Sequence, residues 1–198
     1  MVGLNAGSPV WAKPFVHLLC LLPFVYIVWA ALSESLGTDP VKALLLMTGE
    51  WSIRLLILTL AITPLRQWLS MPKLLRYRRM LGLYTWFYAN LHFLVVLTYL
   101  FAWDWQIAQE ELSERPYIVV GFLAWLSMLP LGFTSNNKAV RALGRNWRKV
   151  HKLIYLIAVL AWVHVFWQVR SSYFDAVLYG TLIFLLFYPR LKKVYETR

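Results

Sequence analysis

The chain has 198 residues, of which 60% are hydrophobic and only 15% charged, with Trp, Tyr and Phe at 11 each. A soluble domain is nearer about half apolar and about a quarter charged, so composition excludes a soluble enzyme or binding module and specifies an integral membrane protein. The net charge of +11 does not indicate nucleic acid. Most of the cations stand in short stretches between apolar runs, as the positive-inside bias of membrane proteins requires.

A membrane span needs about 20 mostly apolar residues. The pattern predicts six spans, at 14–32, 51–69, 80–103, 116–133, 150–168 and 173–189, forming one transmembrane domain over 1–198. The first follows Lys13 and contains Pro23, and it reads as a retained helix and not as a cleaved signal. Cys20 stands alone within it, which excludes a disulfide framework and a cysteine metal site. The second carries Arg54 one turn in, where a long side chain can snorkel to the interface. Pro40, Pro72, Pro116 and Pro189 fall at or outside span ends, and Pro23 and Pro130 inside, where membrane helices tolerate kinks. The runs are continuous and do not alternate, so a β-barrel is excluded and the fold class is all-α. No loop is long enough to hold a catalytic domain, and no nucleotide-binding or zinc-protease motif occurs, so no catalytic residue is assigned.

Charge divides the two ends of the spans. Sixteen of the twenty cations lie on one side: Lys13, the 66–79 loop, the stretch 134–152, and the tail from Arg190 to Arg198. Lys42, Arg54, Arg115 and Arg170 lie on the other, with eight of the nine acids. The basic side is therefore expected in the cytoplasm together with both termini, an even count of six spans being consistent with this.

The four histidines, His17, His92, His151 and His164, all fall in or at the edge of spans. An intramembrane ionisable residue is a functional hypothesis by default, against the plainer reading that it bonds a neighbouring helix. Both the third and the fifth span run outward, and His92 and His164 each lie about 20 Å along them. Two imidazoles at one level on two helices are what a bis-histidine haem requires. His151 and His17 match in depth near the inner face, which makes a second, inner site a candidate. However, 13 residues of straight helix leave His151 and His164 about 140° apart, so two sites on one seam need a helix irregularity. Gly82, Gly121 and Gly132 are candidate points of close approach. Arg76, Arg78, Arg79, Arg145 and Arg148 serve either topology alone or the binding of haem propionates, a flavin phosphate or an acidic partner.

Several stretches carry a family resemblance. They are LLPFVYIVWA at 21–30, GTDPVKALLLMTGEW at 37–51, ITPLR at 62–66, RYRRMLGL at 76–83, LH at 91–92, RPYIVVG at 115–121, GFTSN at 132–136 and LGRNWRKVHKLIYL at 143–156. In this order they resemble the MsrQ (YedZ) family, haem-binding membrane subunits of the bacterial periplasmic methionine sulfoxide reductase. The last stretch also resembles the ferric-reductase transmembrane domain. The resemblance implies a six-helix haem b protein of the bacterial inner membrane, with His92 and His164 as ligands on the periplasmic side. It implies that His151 matches an inner-haem ligand. The partner expected 14 residues before His92 is instead Arg78, which leaves His17, another ligand or no inner haem. It further implies electron transfer from a cytoplasmic flavin reductase, or from quinol, to a periplasmic molybdopterin-containing methionine sulfoxide reductase, with FMN as a further candidate cofactor. That partner would repair the lesion that turns methionine polar.

Three rivals stand beside this reading. A small transporter would use the histidines as a proton relay, but the spans hold almost no acids. An assembly subunit would use them only to bond neighbouring helices. A quinol-oxidising cytochrome b would serve some other partner.

Overall fold

The computed structural model describes residues 11–169 and 172–196, with the backbone alone for 190–196. Arg170 and Arg198 of the charge division lie outside the described residues. All regular structure among the described residues is helical. The helices are α1 (Ala12–Leu32), α2 (Pro40–Trp68), α3 (Leu75–Val95), α4 (Trp105–Glu114), α5 (Pro116–Phe133), α6 (Asn137–Leu143), α7 (Arg145–Val150), α8 (Leu153–Gln168) and α9 (Phe174–Glu196). A 3₁₀ turn, Pro72–Leu74, leads into α3, and a π turn, Val96–Leu100, follows it.

Five stretches are long and apolar enough to cross a membrane: Ala12–Leu32, Pro40–Trp68, Pro72–Leu100, Pro116–Phe133 and Arg145–Gln168. The sixth expected span corresponds to a shorter apolar stretch, Phe174–Pro189. The helix continues through Pro189 to Glu196, so this proline is internal and not a terminator. The protein is thus a multi-pass membrane protein. Its outer surface fits that setting, because Val25 and Trp29 of α1 and Phe184 and Leu185 of α9 are all exposed.

Several boundaries differ from the sequence expectation. The second span begins eleven residues early, at Pro40 instead of 51, because a strong start signal outweighs the polar interruption at 48–54. Asp39 caps this helix, its Oδ1 accepting from Lys42 N–H at 3.0 Å, and Pro40 occupies the first turn. Arg54 therefore stands midway along α2, where its guanidinium bonds Glu50 and the Tyr179 hydroxyl. The third helix starts at Leu75, which puts Arg76, Arg78 and Arg79 on its first turns and not in a loop. The acidic connection between the third and fourth expected spans is itself a helix, α4, capped by Asp104 accepting from Gln106 and Ile107. The 134–150 loop holds α6 and α7.

The helices pair in two sets. α2 packs along α3 and α5 along α8, and the sets meet through α3 with α5 and α2 with α8. The main core gathers Leu56, Leu60, Ala89, Met128, Ile157 and Ala158 from these four helices, with Tyr179 and Ile183 of α9. α1 joins from the flank through a second cluster of Cys20, Ile27, Leu55, Ile62, Leu81 and Tyr88. The fully buried Tyr88 is the pin of that contact. Its hydroxyl donates to Cys20 C=O at 2.7 Å and accepts from Phe24 N–H at 3.0 Å, spanning the Pro23 turn of α1. Tyr88→Phe leaves these backbone groups without the hydroxyl. It is expected to cost about 1–3 kcal/mol, read as a lower melting temperature of the purified protein in detergent.

Candidate functional site: a paired-histidine cavity

Between α2, α3, α5, α8 and α9 lies a cavity of about 500 Å³. His92 of α3 and His164 of α8 line it, with their ring centres 6.2 Å apart and the planes at 75°. The expectation that these two residues share a level is met by direct proximity of the rings.

Each ring is held by the same local device. His92 Nδ1 lies 3.0 Å from Leu45 C=O, and Gly49 follows Leu45 by one helical turn on α2. His164 Nδ1 lies 2.7 Å from Tyr117 C=O, and Gly121 follows Tyr117 by one turn on α5. A carbonyl oxygen can only accept, so each Nδ1 carries the proton. The tautomer this selects leaves Nε2 as the lone-pair nitrogen. The glycines make room for the rings. A Cβ on Gly49 would stand 3.2 Å from His92, and one on Gly121 only 2.7 Å from His164. Thr48, fully buried, adds a hydroxyl 3.3 Å from His92 Nδ1.

Ile53, Leu56, Phe93 and Trp125 provide an apolar wall. Phe93 and Trp125 stack at 4.0 Å, and the Trp125 indole N–H donates to Asn90 Oδ1 at 3.3 Å. Lys42, Glu50 and Asp175 are the charged residues of the lining.

The inner histidines are held apart by different partners. His17 Nδ1 meets the Tyr84 hydroxyl at 2.9 Å, on the α1–α3 flank. His151 stacks on Trp147 at 3.9 Å between ring centres and approaches Ser135 Oγ at 3.5 Å. A helix irregularity of the kind that two sites on one seam would need does stand between His151 and His164: α7 ends at Val150 and α8 starts at Leu153. The five arginines do not line the His92–His164 cavity. Arg79 donates to Ser135 C=O at 2.8 Å and to Asn137 Oδ1 at 2.7 Å, tying α3 to the start of α6. Arg76 lies over the Tyr77 ring and bonds its hydroxyl. Arg78 reaches Thr63 Oγ1 at 3.4 Å, while Arg145 and Arg148 are exposed on α7.

Sequence reasoning reached the two central histidines and Gly121 but missed Leu45, Gly49, Tyr117, Trp125 and Lys42. Gly49 and His92 are 43 residues apart, and only helix packing relates them. Of the other glycines, Gly132 packs against the Trp86 indole, whereas Gly82 makes only ordinary contact with Thr59.

These features define a class: a multi-pass helical membrane protein with a ferric-reductase-like transmembrane domain. Residues 48–162 match the family model described as the ferric reductase like transmembrane component. The chain belongs to the MsrQ family. It is 44% identical over 201 residues to the protein-methionine-sulfoxide reductase heme-binding subunit MsrQ of Xanthomonas oryzae pv. oryzae (strain MAFF 311018), covering 98% of this chain and 92% of the relative. The proteins of the same name from Xanthomonas axonopodis pv. citri and Polaromonas naphthalenivorans are 42% and 39% identical. These matches cover 98% and 94% of this chain and 92% and 89% of the relatives. No solved structure gives a significant match.

Proposed function

We propose that the chain is the haem b electron-transfer subunit of a methionine sulfoxide reductase system in the bacterial inner membrane. The observation that carries this reading is the His92–His164 pair, with both Nδ1 atoms committed to backbone carbonyls and the ring centres 6.2 Å apart. Two neutral imidazoles side by side in an apolar cavity, each with its Nδ1 proton committed to a backbone carbonyl, are a donor set that a haem iron would take. The residues present therefore fit the group. Bound there, a haem supplies a one-electron iron couple.

The chain's own residues do the rest. His92 and His164 would hold the iron through Nε2, and the Leu45 and Tyr117 carbonyls fix the rings in that tautomer. The wall of Ile53, Leu56, Phe93 and Trp125 excludes water, which helps set the potential. Lys42 offers a cation to a propionate. The domain is one six-span bundle over 1–198, with both termini in the cytoplasm, as the charge division requires. Electrons enter at the basic face, where Arg76, Arg78, Arg79, Arg145 and Arg148 serve a flavin reductase or FMN. Quinol is the alternative source. His151, with His17 or another ligand, is the candidate inner site.

On the outer face, α4 docks the molybdopterin-containing reductase. Glu110 and Glu114 are exposed on it, while Glu111 pairs with Arg115 at 2.8 Å. Docking through these carboxylates is electrostatic, so reoxidation of the reduced chain by the partner is expected to slow as ionic strength rises from about 0.01 to 0.15 M. A rate indifferent to salt would remove α4 as the docking element.

The deciding experiment is the absorption spectrum of the purified protein, oxidised and dithionite-reduced, with a pyridine haemochrome assay. A b-type spectrum is expected. A colourless protein after expression with ample haem supply would overturn the reading in favour of a transporter or an assembly subunit.

A further inference from the structure

The clamps on the two central histidines share one register. On α2, Leu45 supplies the acceptor carbonyl and Gly49 the gap beside His92. On α5, Tyr117 and Gly121 do the same for His164. The clamps part at the residue before each glycine, which is Thr48 on α2 and Val120 on α5. Thr48, Thr59 and Thr85 are the buried polar residues among those described, and each hydroxyl bonds back to the carbonyl one turn earlier. Of these three, Thr48 is the one whose hydroxyl also meets a side chain of another helix.

The single proton of that hydroxyl is already committed. Thr48 Oγ1 donates to Leu44 C=O at 2.7 Å, with Leu45 C=O farther away at 3.3 Å. Toward His92 the oxygen therefore offers a lone pair, 3.3 Å from Nδ1. The Nδ1 proton also meets Leu45 C=O at 3.0 Å, so two acceptors on one helix share it. His164 Nδ1 has its one carbonyl acceptor at 2.7 Å. A lone hydrogen bond is an axis about which an imidazole can pivot. A second acceptor placed off that axis removes the pivot.

We propose that Thr48 is a positioning residue for His92. Its hydroxyl stops the ring from turning about the bond to Leu45 and so fixes the ring plane, 75° from that of His164. The two rings are therefore held unequally, His92 by two acceptors and His164 by one. The role rests on the electron-transfer reading, in which a ring that cannot turn keeps a haem's ligand set the same in both oxidation states.

The test compares Thr48→Val with Thr48→Ser in the full-length protein. Valine keeps the branched shape and gives α2 the α5 pattern, whereas serine keeps the hydroxyl. Leu44 C=O retains its partner within the helix, so both variants are expected to fold. In the haem-loaded protein, Thr48→Val should shift the leading g value of the low-spin ferric EPR spectrum, which reads the angle between the imidazole planes. The midpoint potential should rise, because Nε2 loses electron density when Nδ1–H loses an acceptor. Haem loss should quicken by about tenfold or more, the scale of lost support to a metal-ligating histidine. Thr48→Ser should restore all three. In the full-length chain without haem, NMR of isotope-labelled histidine should show faster exchange of the His92 Nδ1 proton in Thr48→Val, with His164 unchanged as the internal control. A coloured Thr48→Val with the g value and potential of the wild type would overturn the proposal and leave the electron-transfer reading standing. A wild type that takes up no haem would sink that reading, and the exchange measurement then decides the clamp by itself. Equal exchange at His92 in wild type and Thr48→Val would overturn it.

Discussion

Replacing His164 by alanine, or His92 by alanine, is expected to remove the b-type spectrum of the purified protein. Each ring is one of the two haem ligands on the proposed reading, and no other histidine stands within the cavity lining. Losing one ligand also strands the other imidazole in an apolar wall with its Nε2 unmatched, so the loss is not halved by the surviving partner. His17→Ala is the control. Its ring bonds Tyr84 on the α1–α3 flank, so its removal should leave the His92–His164 spectrum unchanged. The measurement is haem per chain by pyridine haemochrome, with circular dichroism to verify that each variant is folded. Full haem retention in both His92→Ala and His164→Ala would remove these residues as ligands.

The second large effect separates two glycines that look alike in the sequence. At Gly121 an added Cβ meets His164 Nδ1 and Cε1 at 2.7 Å, closer than real contacts allow. The imidazole must tilt away, and the 2.7 Å bond from its Nδ1 to Tyr117 C=O cannot survive that tilt. Gly121→Ala is therefore expected to lower haem affinity by about 10–100-fold, the scale of lost support to a metal-ligating histidine. Overpacking adds about 1–3 kcal/mol of lost stability. At Gly82 the added Cβ finds only Thr59 Cγ2, at 3.7 Å. Gly82→Ala is expected to keep haem and to gain up to about 1 kcal/mol from helix propensity. Haem titration of the apoprotein, with thermal melts of the same samples, reads both. Equal behaviour of the two variants would refute the close-approach role of Gly121.

The contrast shows where the legible part of the chain ends. An apolar helix must cover its backbone with apolar side chains, so five of the six expected spans were readable from hydropathy alone. An acid or base in such a helix stands out for the same reason. That is why His92 and His164 were found, and why matched depth sufficed to pair them: both helices run in one direction at a fixed rise per residue. Boundaries were less readable where a capping signal competed with hydropathy. Asp39 with Pro40 started α2 ahead of the apolar run, and Asp104 turned an acidic connection into α4. Both are local hydrogen-bond effects that a hydropathy window averages away.

The sequence by itself determined that the protein lives in a membrane, how its charge is divided, and which imidazoles lie along its spans. Each of these follows from the cost of exposing one chemical group to the wrong solvent, a property of single residues. Tertiary structure decided which carbonyl holds which ring, that Gly49 and Gly121 and not Gly82 give way to a histidine, and that Arg54 is bonded to Tyr179 of α9. Those outcomes depend on the rotation of each helix about its own axis, which is fixed only when packed neighbours meet face to face.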